Sequence, residues 1–258
     1  MKPLIIIQAR TGSTRLPRKM TRDFHSGKSV LEILLERLLH GFVDKGYGDM
    51  VVATTLSPND DAIVEVCDRV GVKSYRGSEA DVLQRFIDTA RLFGAEKIIR
   101  VCADNVFLDT DSLRRLAEEM ERADSDYVSF HTRDGQPSIL THYGFFAEGV
   151  TLEALERVAQ LTDLPLYHEH VTNGIHSGPW DFTTRYVEIE EMIPGLENHP
   201  DLRLTLDTES DFTTQQKIYA DLQQRGSEMT PAEIIRYLDS EHPEYYSIMH
   251  KTINENKK

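Results

Sequence analysis

Apolar and polar positions alternate between two periods along the first hundred residues. Residues 3–8 carry an unbroken apolar, β-branched run, Leu4-Ile5-Ile6-Ile7, that stops at Gln8. A run with no polar alternation is the mark of a strand covered on both faces. Residues 29–41 then place leucines at 31, 34, 35, 38 and 39, the spacing of one helical face. Ser29 followed by Glu32 predicts a capping box at its start. Residues 50–55 read as a second strand, 60–70 as a helix stopped by Gly71, 72–75 as a short strand and 79–93 as a helix. Residues 97–103 form another apolar strand that ends at Asp104. Strand and helix in alternation predict an α/β fold, a mostly parallel twisted sheet with helices on both faces.

Beyond residue 131 the periodicity loosens. Strands are predicted over 143–147, 184–189 and 203–206, and helices over 151–160, 211–224 and 230–240, with a loop through 163–182. Residues 131–200 are expected to leave the sheet as an excursion that shapes a pocket or a dimer contact. The polar tail, Asn254 to Lys258, is expected to fray.

Composition narrows the choices. A chain of 258 residues, 40% hydrophobic, can bury its core as one domain spanning 1–258. No apolar run reaches the ~18 residues of a spanning helix, so membrane insertion is not expected. The N-terminus lacks the features of a secretory signal, which predicts a cytoplasmic protein. Cys67 and Cys102 stand far apart and suggest neither a disulfide framework nor a metal quartet. A formal net charge of −14 argues against nucleic acid as a partner.

Against that acidic background Arg10, Arg15, Arg18 and Lys19 crowd into one loop directly after the first strand. Small residues there, Gly12 and Ser13, let backbone N–H groups approach an anion, and guanidinium forks match phosphate oxygens in pairs. A nucleoside triphosphate suits such a loop. Asp104 sits just past a buried strand, where a carboxylate can hold a Mg²⁺ that bridges phosphate oxygens. Asp207, after the apolar Arg203-Leu204-Thr205-Leu206, repeats that placement. Ligands of open parallel sheets lie beyond the carboxyl ends of the strands, so loop, Thr54-Thr55 and Asp104 should converge there. Two lookalikes fall away. Gly27-Lys28-Ser29 lacks the glycine a phosphate-binding Walker loop needs five positions earlier, where Arg22 stands. His168 and His170 are spaced i, i+2 rather than the i, i+4 of helical zinc ligands.

The run from Ile5 to Lys19, I-I-Q-A-R-T-G-S-T-R-L-P-x-K in outline, resembles the entrance loop of the cytidylyltransferases that make CMP-activated sugars. The branch named after spore-coat polysaccharide biosynthesis is nearest, with CMP-Kdo and CMP-sialic acid synthetases as relatives. Gly77-Ser78-Glu79-Ala80-Asp81-Val82-Leu83-Gln84-Arg85 resembles that family's G-S-x-x-D-V-L-x-R box, and Arg203 to Phe212 its R-L-T-V-D-T-P-E-D-F segment. Asp104 to Asp109 keeps both acids of its G-D-x-P-L-I-D segment, with Asn105-Val106 replacing Cys-Pro. His168 to Thr172 and Gly144 to Glu148 are similar to its R-E-H-V-T and G-x-x-x-E elements.

The resemblance implies a glycosyltransferase-A-like nucleotidyltransferase fold and CMP transfer from CTP to a sugar or sugar-like acceptor, with Mg²⁺ as cofactor and a homodimer as the assembly. It implies catalytic roles for Arg10, Arg15 and Lys19, and metal ligation by Asp104 and Asp207. Nucleotide contacts are implied at Ala9, Gly12, Ser13, Thr54, Gly77, Ser78 and Ala103, and acceptor contacts at Glu148, Glu169 and His170. Asp81 and Arg85, one helical turn apart, are expected to pair, and Asp211 to cap the helix behind it. Two other functions remain open. A glycosyltransferase using a nucleotide sugar would need a D-x-D pair, and Asp109-Thr110-Asp111 has those letters. A non-catalytic nucleotide-binding relative is the other.

Overall fold

The four apolar residues of the first strand are buried because they form the middle of a sheet with helices on both sides. The structure, a computed structural model, describes residues 2–122 and 124–256. In chain order its strands are β1 (Leu4–Gln8), β2 (Asp23–His25), β3 (Lys28–Ser29), β4 (Asp49–Thr55), β5 (Lys73–Gly77), β6 (Lys97–Cys102), β7 (Tyr127–His131), β8 (Glu148–Thr151) and β9 (Thr184–Glu188). Seven of these form one sheet in the order β5-β4-β1-β6-β8-β7-β9, while β2 and β3 make a separate hairpin. Pairings β5–β4, β4–β1, β1–β6 and β7–β9 are parallel; β8 runs antiparallel between β6 and β7. The mostly parallel twisted sheet read from the sequence is the one present.

Alternate residues of β1 serve opposite cores. Ile5 and Ile7 pack with Val52, Ile99 and Leu34 under helices Val30–Leu38, Asp61–Val70 and Thr110–Arg122. Leu4 and Ile6 pack with Val51, Ala53, Leu83 and Leu155 under helices Val82–Leu92 and Leu152–Leu161. Four parallel strands therefore present their carboxyl ends, Gln8, Thr55, Gly77 and Cys102, along one edge.

Several boundaries differ from those expected. The helix predicted from residue 29 runs Val30–Leu38 and loosens into a wider turn over Leu39–Val43. Ser29 caps it by accepting from the Glu32 N–H, but the Glu32 carboxylate goes to Arg69, so only half a capping box forms. The 79–93 helix starts at Val82, with Asp81 as its cap. Strand 143–147 is displaced to β8, because Gly144 at φ +72° breaks the extended run and the Phe145 carbonyl accepts from the Asp109 N–H. Residues 203–206 belong to no strand, although Leu202, Leu204 and Leu206 are buried. The 163–182 loop contains two short helices, Pro165–Glu169 and Asn173–His176. Residues 131–200 do not leave the sheet, since β8 and β9 are two of its strands. Asn254 and Glu255 end a helix, Glu244–Glu255, rather than fraying; Lys257 and Lys258 lie outside the described residues. Helix Thr110–Arg122 and strand β7 were not anticipated.

Gly144 also fixes how the Asp207 segment approaches the sheet. The Leu204 N–H donates to the His142 carbonyl at 2.8 Å, and a Cβ on Gly144 would lie 2.6 Å from the Leu204 carbonyl oxygen. Gly144→Ala is expected to cost about 1–3 kcal/mol, from the left-handed backbone and the clash together. Urea denaturation measures this, and an unchanged midpoint would contradict the contact.

Candidate active site

The basic loop is held in shape by its own backbone and by one acid from outside. Thr11 donates its N–H and its hydroxyl to Asp60 Oδ1 at 2.7 and 2.6 Å, and Thr55 at the end of β4 donates to Oδ2 at 2.5 Å. Burial works against the Asp60 carboxylate, but these donors hold its pKa below the ordinary value. Arg18 adopts φ +57°, which folds the loop back so that its N–H reaches the Thr11 carbonyl. Leu16 and Met20 are buried and pin the loop to the core. Arg22 closes the far end with a two-pronged bond to Glu209 at 2.7 and 2.8 Å.

That geometry sends Lys19 inward. Its ammonium donates to Asp104 Oδ2 at 2.8 Å and to the Leu206 carbonyl at 2.6 Å, and lies 3.6 Å from Asp207 Oδ1. Asp104 follows β6, whereas Asp207 arrives from a segment more than a hundred residues later. The two acids thus meet around one cation. Burial disfavours charging Lys19, but Asp104 and Asp207 outweigh it and raise its pKa. Burial pushes Asp207 up, yet Lys19, Arg15 and Arg203 together hold it below the usual carboxylate range. Arg15 lies 3.0 Å from Asp207 and Arg203 3.1 Å. Arg203 is fixed in turn by Asp211, which also caps helix Glu209–Gln224 in a capping box with Thr208. Asp211 is the capping acid the sequence suggested.

Two clefts flank this cluster. A cleft of about 350 Å³ is lined by the basic loop, Gln8, Val82, Arg100 and Asp104. A second, of about 640 Å³, is lined by residues 138–142, Phe146, Arg203, Thr205 and Asn256. Arg15, Cys102, Asp104, His170 and Asp207 belong to both. The replacement Asn105-Val106 still makes a closed turn, with the Asn105 N–H on the Cys102 carbonyl and the Leu108 N–H on the Asn105 carbonyl.

Of the residues singled out from sequence, Arg10, Gly12, Ser13, Arg15, Lys19, Ala103, Asp104, Glu169, His170 and Asp207 line the first cleft. Ala9 does not; it is buried, with its N–H on the Ala53 carbonyl. Thr54 is wholly buried, and neither Gly77 nor Ser78 lines the cleft; Ser78 accepts from the Asp81 N–H. Glu148 is corrected from acceptor contact to internal strut. It is 1% exposed, and its oxygens are taken by Arg100, Tyr127 and Thr172. Asp81 does not pair with Arg85: it caps the Gln84 N–H and bonds His168, while Arg85 turns to the Ser78 carbonyl. Asp60, Gln8 and Arg100 were missed.

Comparisons to known proteins bear on the family and the fold. A family model described as cytidylyltransferase matches residues 4–225. The chain belongs to the cytidylyltransferase family. It is therefore a nucleotidyltransferase, and its sheet is the fold of that family. It is 35% identical to protein MJ1063 of Methanocaldococcus jannaschii, over 93% of this chain and 91% of that one. It is 31% identical to the spore coat polysaccharide biosynthesis protein SpsF of Bacillus subtilis, over 92% and 93%. A cytidylyltransferase structure from Leptospira borgpetersenii superposes with a TM-score of 0.80 at 24% identity, covering 97% of this chain and 98% of that one. CMP:2-keto-3-deoxy-manno-octonic acid synthetase, in a complex with CTP, gives 0.62 at 16% identity over 86% and 99%. Among the described residues no helix is long and apolar enough to cross a membrane.

His168 clamps the short helix Pro165–Glu169 against helix Val82–Leu92, whose cap is Asp81. Its Nδ1 meets Asp81 Oδ2 and its Nε2 the Thr162 carbonyl, both at 2.8 Å. Both partners accept, and only the imidazolium form donates from both ring nitrogens. Burial opposes this, but Thr162 and Asp81 raise the pKa above 6.5. Its stabilisation is thus full below the unfolded pKa and fades as pH rises through the folded one. The Tm difference between wild type and His168→Gln should be largest at pH below the ordinary imidazole range and shrink as pH rises above it. A difference that grows with pH would contradict the clamp.

Proposed function

We propose that the protein transfers CMP from CTP to a sugar or sugar-like acceptor, releasing pyrophosphate, in polysaccharide or glycoconjugate biosynthesis. The observation that carries this reading is the convergence of Lys19, Arg15, Asp104 and Asp207 on the boundary between two clefts. One cleft, rich in loop cations, suits CTP; the other suits the acceptor. An acceptor oxygen bonds to the α-phosphorus, the bond from that phosphorus to the bridging oxygen breaks, and pyrophosphate departs as the acceptor loses its proton. Arg10, Arg15 and Lys19 stabilise the charge that grows on the departing pyrophosphate.

The donor set also fits a hard dication. Asp104 and Asp207 already reach one cationic nitrogen, and Mg²⁺ binds through one or two carboxylates plus substrate phosphates. Held by those two residues, Mg²⁺ would neutralise the α-phosphate and orient the attack.

A D-x-D glycosyltransferase is disfavoured. Asp109 spends Oδ2 on the Ser112 N–H and hydroxyl, and neither it nor Asp111 lines either cleft. The same reading makes the enzyme a cytoplasmic homodimer. Exposed Leu161, Leu164 and Leu166 supply apolar surface for a second copy within the 131–200 segment.

A thermal-shift panel of the four nucleoside triphosphates, with and without Mg²⁺, tests the donor. A CTP-selective, Mg²⁺-dependent rise is expected; indifference to CTP would refute the reading. Losing one aimed donor in such a site removes about 2.7–4 kcal/mol of barrier stabilisation. Lys19→Ala should therefore cut pyrophosphate release roughly a hundredfold or more while the chain stays folded. Near-normal turnover would remove Lys19 from the chemistry.

A further inference from the structure

A buried polar network ends at the cleft lined by the basic loop. Arg100 and Glu148 are cross-strand partners on β6 and β8, joined Nη1 to Oε2. Glu148 Oε1 also accepts from the Tyr127 hydroxyl at 2.5 Å and from the Thr172 hydroxyl at 3.0 Å. All four residues are buried. A buried ion pair contributes little to stability compared with apolar residues of the same volume. The network does, however, fix the direction of Arg100, whose Nη2 donates to Gln8 Oε1 at 3.4 Å. With its oxygen engaged there, the Gln8 carboxamide has its Nε2 hydrogens left to give, and Gln8 lines the cleft.

The place of Gln8 in the sheet decides what it can meet. Gln8 ends β1, level with Cys102 on β6 and with Ala53 on β4. On the β6 side stand Asp104 and the cluster that suits the α-phosphate. On the β4–β5 side stand the Thr55–Asp60 anchor and, lining the cleft, Val82 at the start of the helix that follows β5. The group joining the α-phosphate to the base is the ribose, whose hydroxyl oxygens accept hydrogen bonds. We propose that Gln8 reads the ribose of the nucleotide by donating from Nε2 to a ribose hydroxyl. Arg100, Glu148, Tyr127 and Thr172 are then positioning residues. This inference rests on the CTP reading above.

Calorimetric titration of the full chain with CTP, 2′-deoxy-CTP and 3′-deoxy-CTP, in Mg²⁺, tests it. Wild type should bind CTP about 3- to 10-fold more tightly than at least one of the deoxy analogues, the range of a single hydrogen bond. Gln8→Leu should weaken CTP but not that analogue, so that the preference falls to about one. Tyr127→Phe should lower the same preference part of the way, a readout that a merely structural tyrosine leaves untouched. A wild type indifferent to both hydroxyls, or a Gln8→Leu variant that keeps the full preference, overturns the proposal. If wild type fails to bind CTP at all, the nucleotide reading itself falls, and this inference with it. The two failures are therefore told apart by the wild-type CTP titration.

Discussion

One ammonium group, Lys19 Nζ, sits between two carboxylates that the chain delivers from separate segments, and the rest of the site is arranged around that meeting. Asp104 is carried to it by β6, whose register against β1 places Cys102 level with Gln8. Asp207 depends on a longer chain of support. Arg203 ties it to Asp211, Asp211 caps the following helix, and Gly144 lets the Leu204 backbone lie close against the sheet. Lys19 itself is aimed by a loop whose anchor, Asp60, comes from the turn after β4.

The charges of the site differ in sign from those of the molecule as a whole. Three cations, Lys19, Arg15 and Arg203, face Asp207, inside a molecule of net charge −14. The cations are paired with internal acids: Lys19 with Asp104, Arg15 with Asp207, Arg10 loosely with Glu169 at 3.8 Å. A triphosphate offers several oxygens in exchange. The surrounding acidity repels extended polyanions such as nucleic acid, while a local pocket of cations in a partly buried cleft keeps its strength against screening.

Local order was legible wherever one signal acted alone. The unbroken apolar run of β1, the helix ended by Gly71 at φ +80°, and the Thr208–Asp211 cap all follow from near neighbours in sequence. Gly144 defeated the strand expected over 143–147, because its apolar neighbours looked extended while its backbone had to turn. Helix Thr110–Arg122 carried a readable stripe, Leu113, Leu116, Ala117 and Met120, hidden among many charges. Of the site, the loop cations and both acids could be read because each ends an apolar run. Asp60 looked only like a helix start, and its bonds to Thr11 lie 49 residues away. Glu148 looked like a ligand-facing acid, because nothing local reveals that Arg100, Tyr127 and Thr172 surround it. Partners supplied by distant strands leave no trace in a short window.

The most direct measurement is a titration of CTP into wild type, Asp104→Asn, Asp207→Asn and the double variant, each with and without Mg²⁺. If both acids hold one cation on the triphosphate, each single variant loses the Mg²⁺-dependent gain in affinity, and the double variant loses no more than either single. Two losses that add, or a Mg²⁺ response that survives in either single variant, would mean that the acids do not act on a common ion.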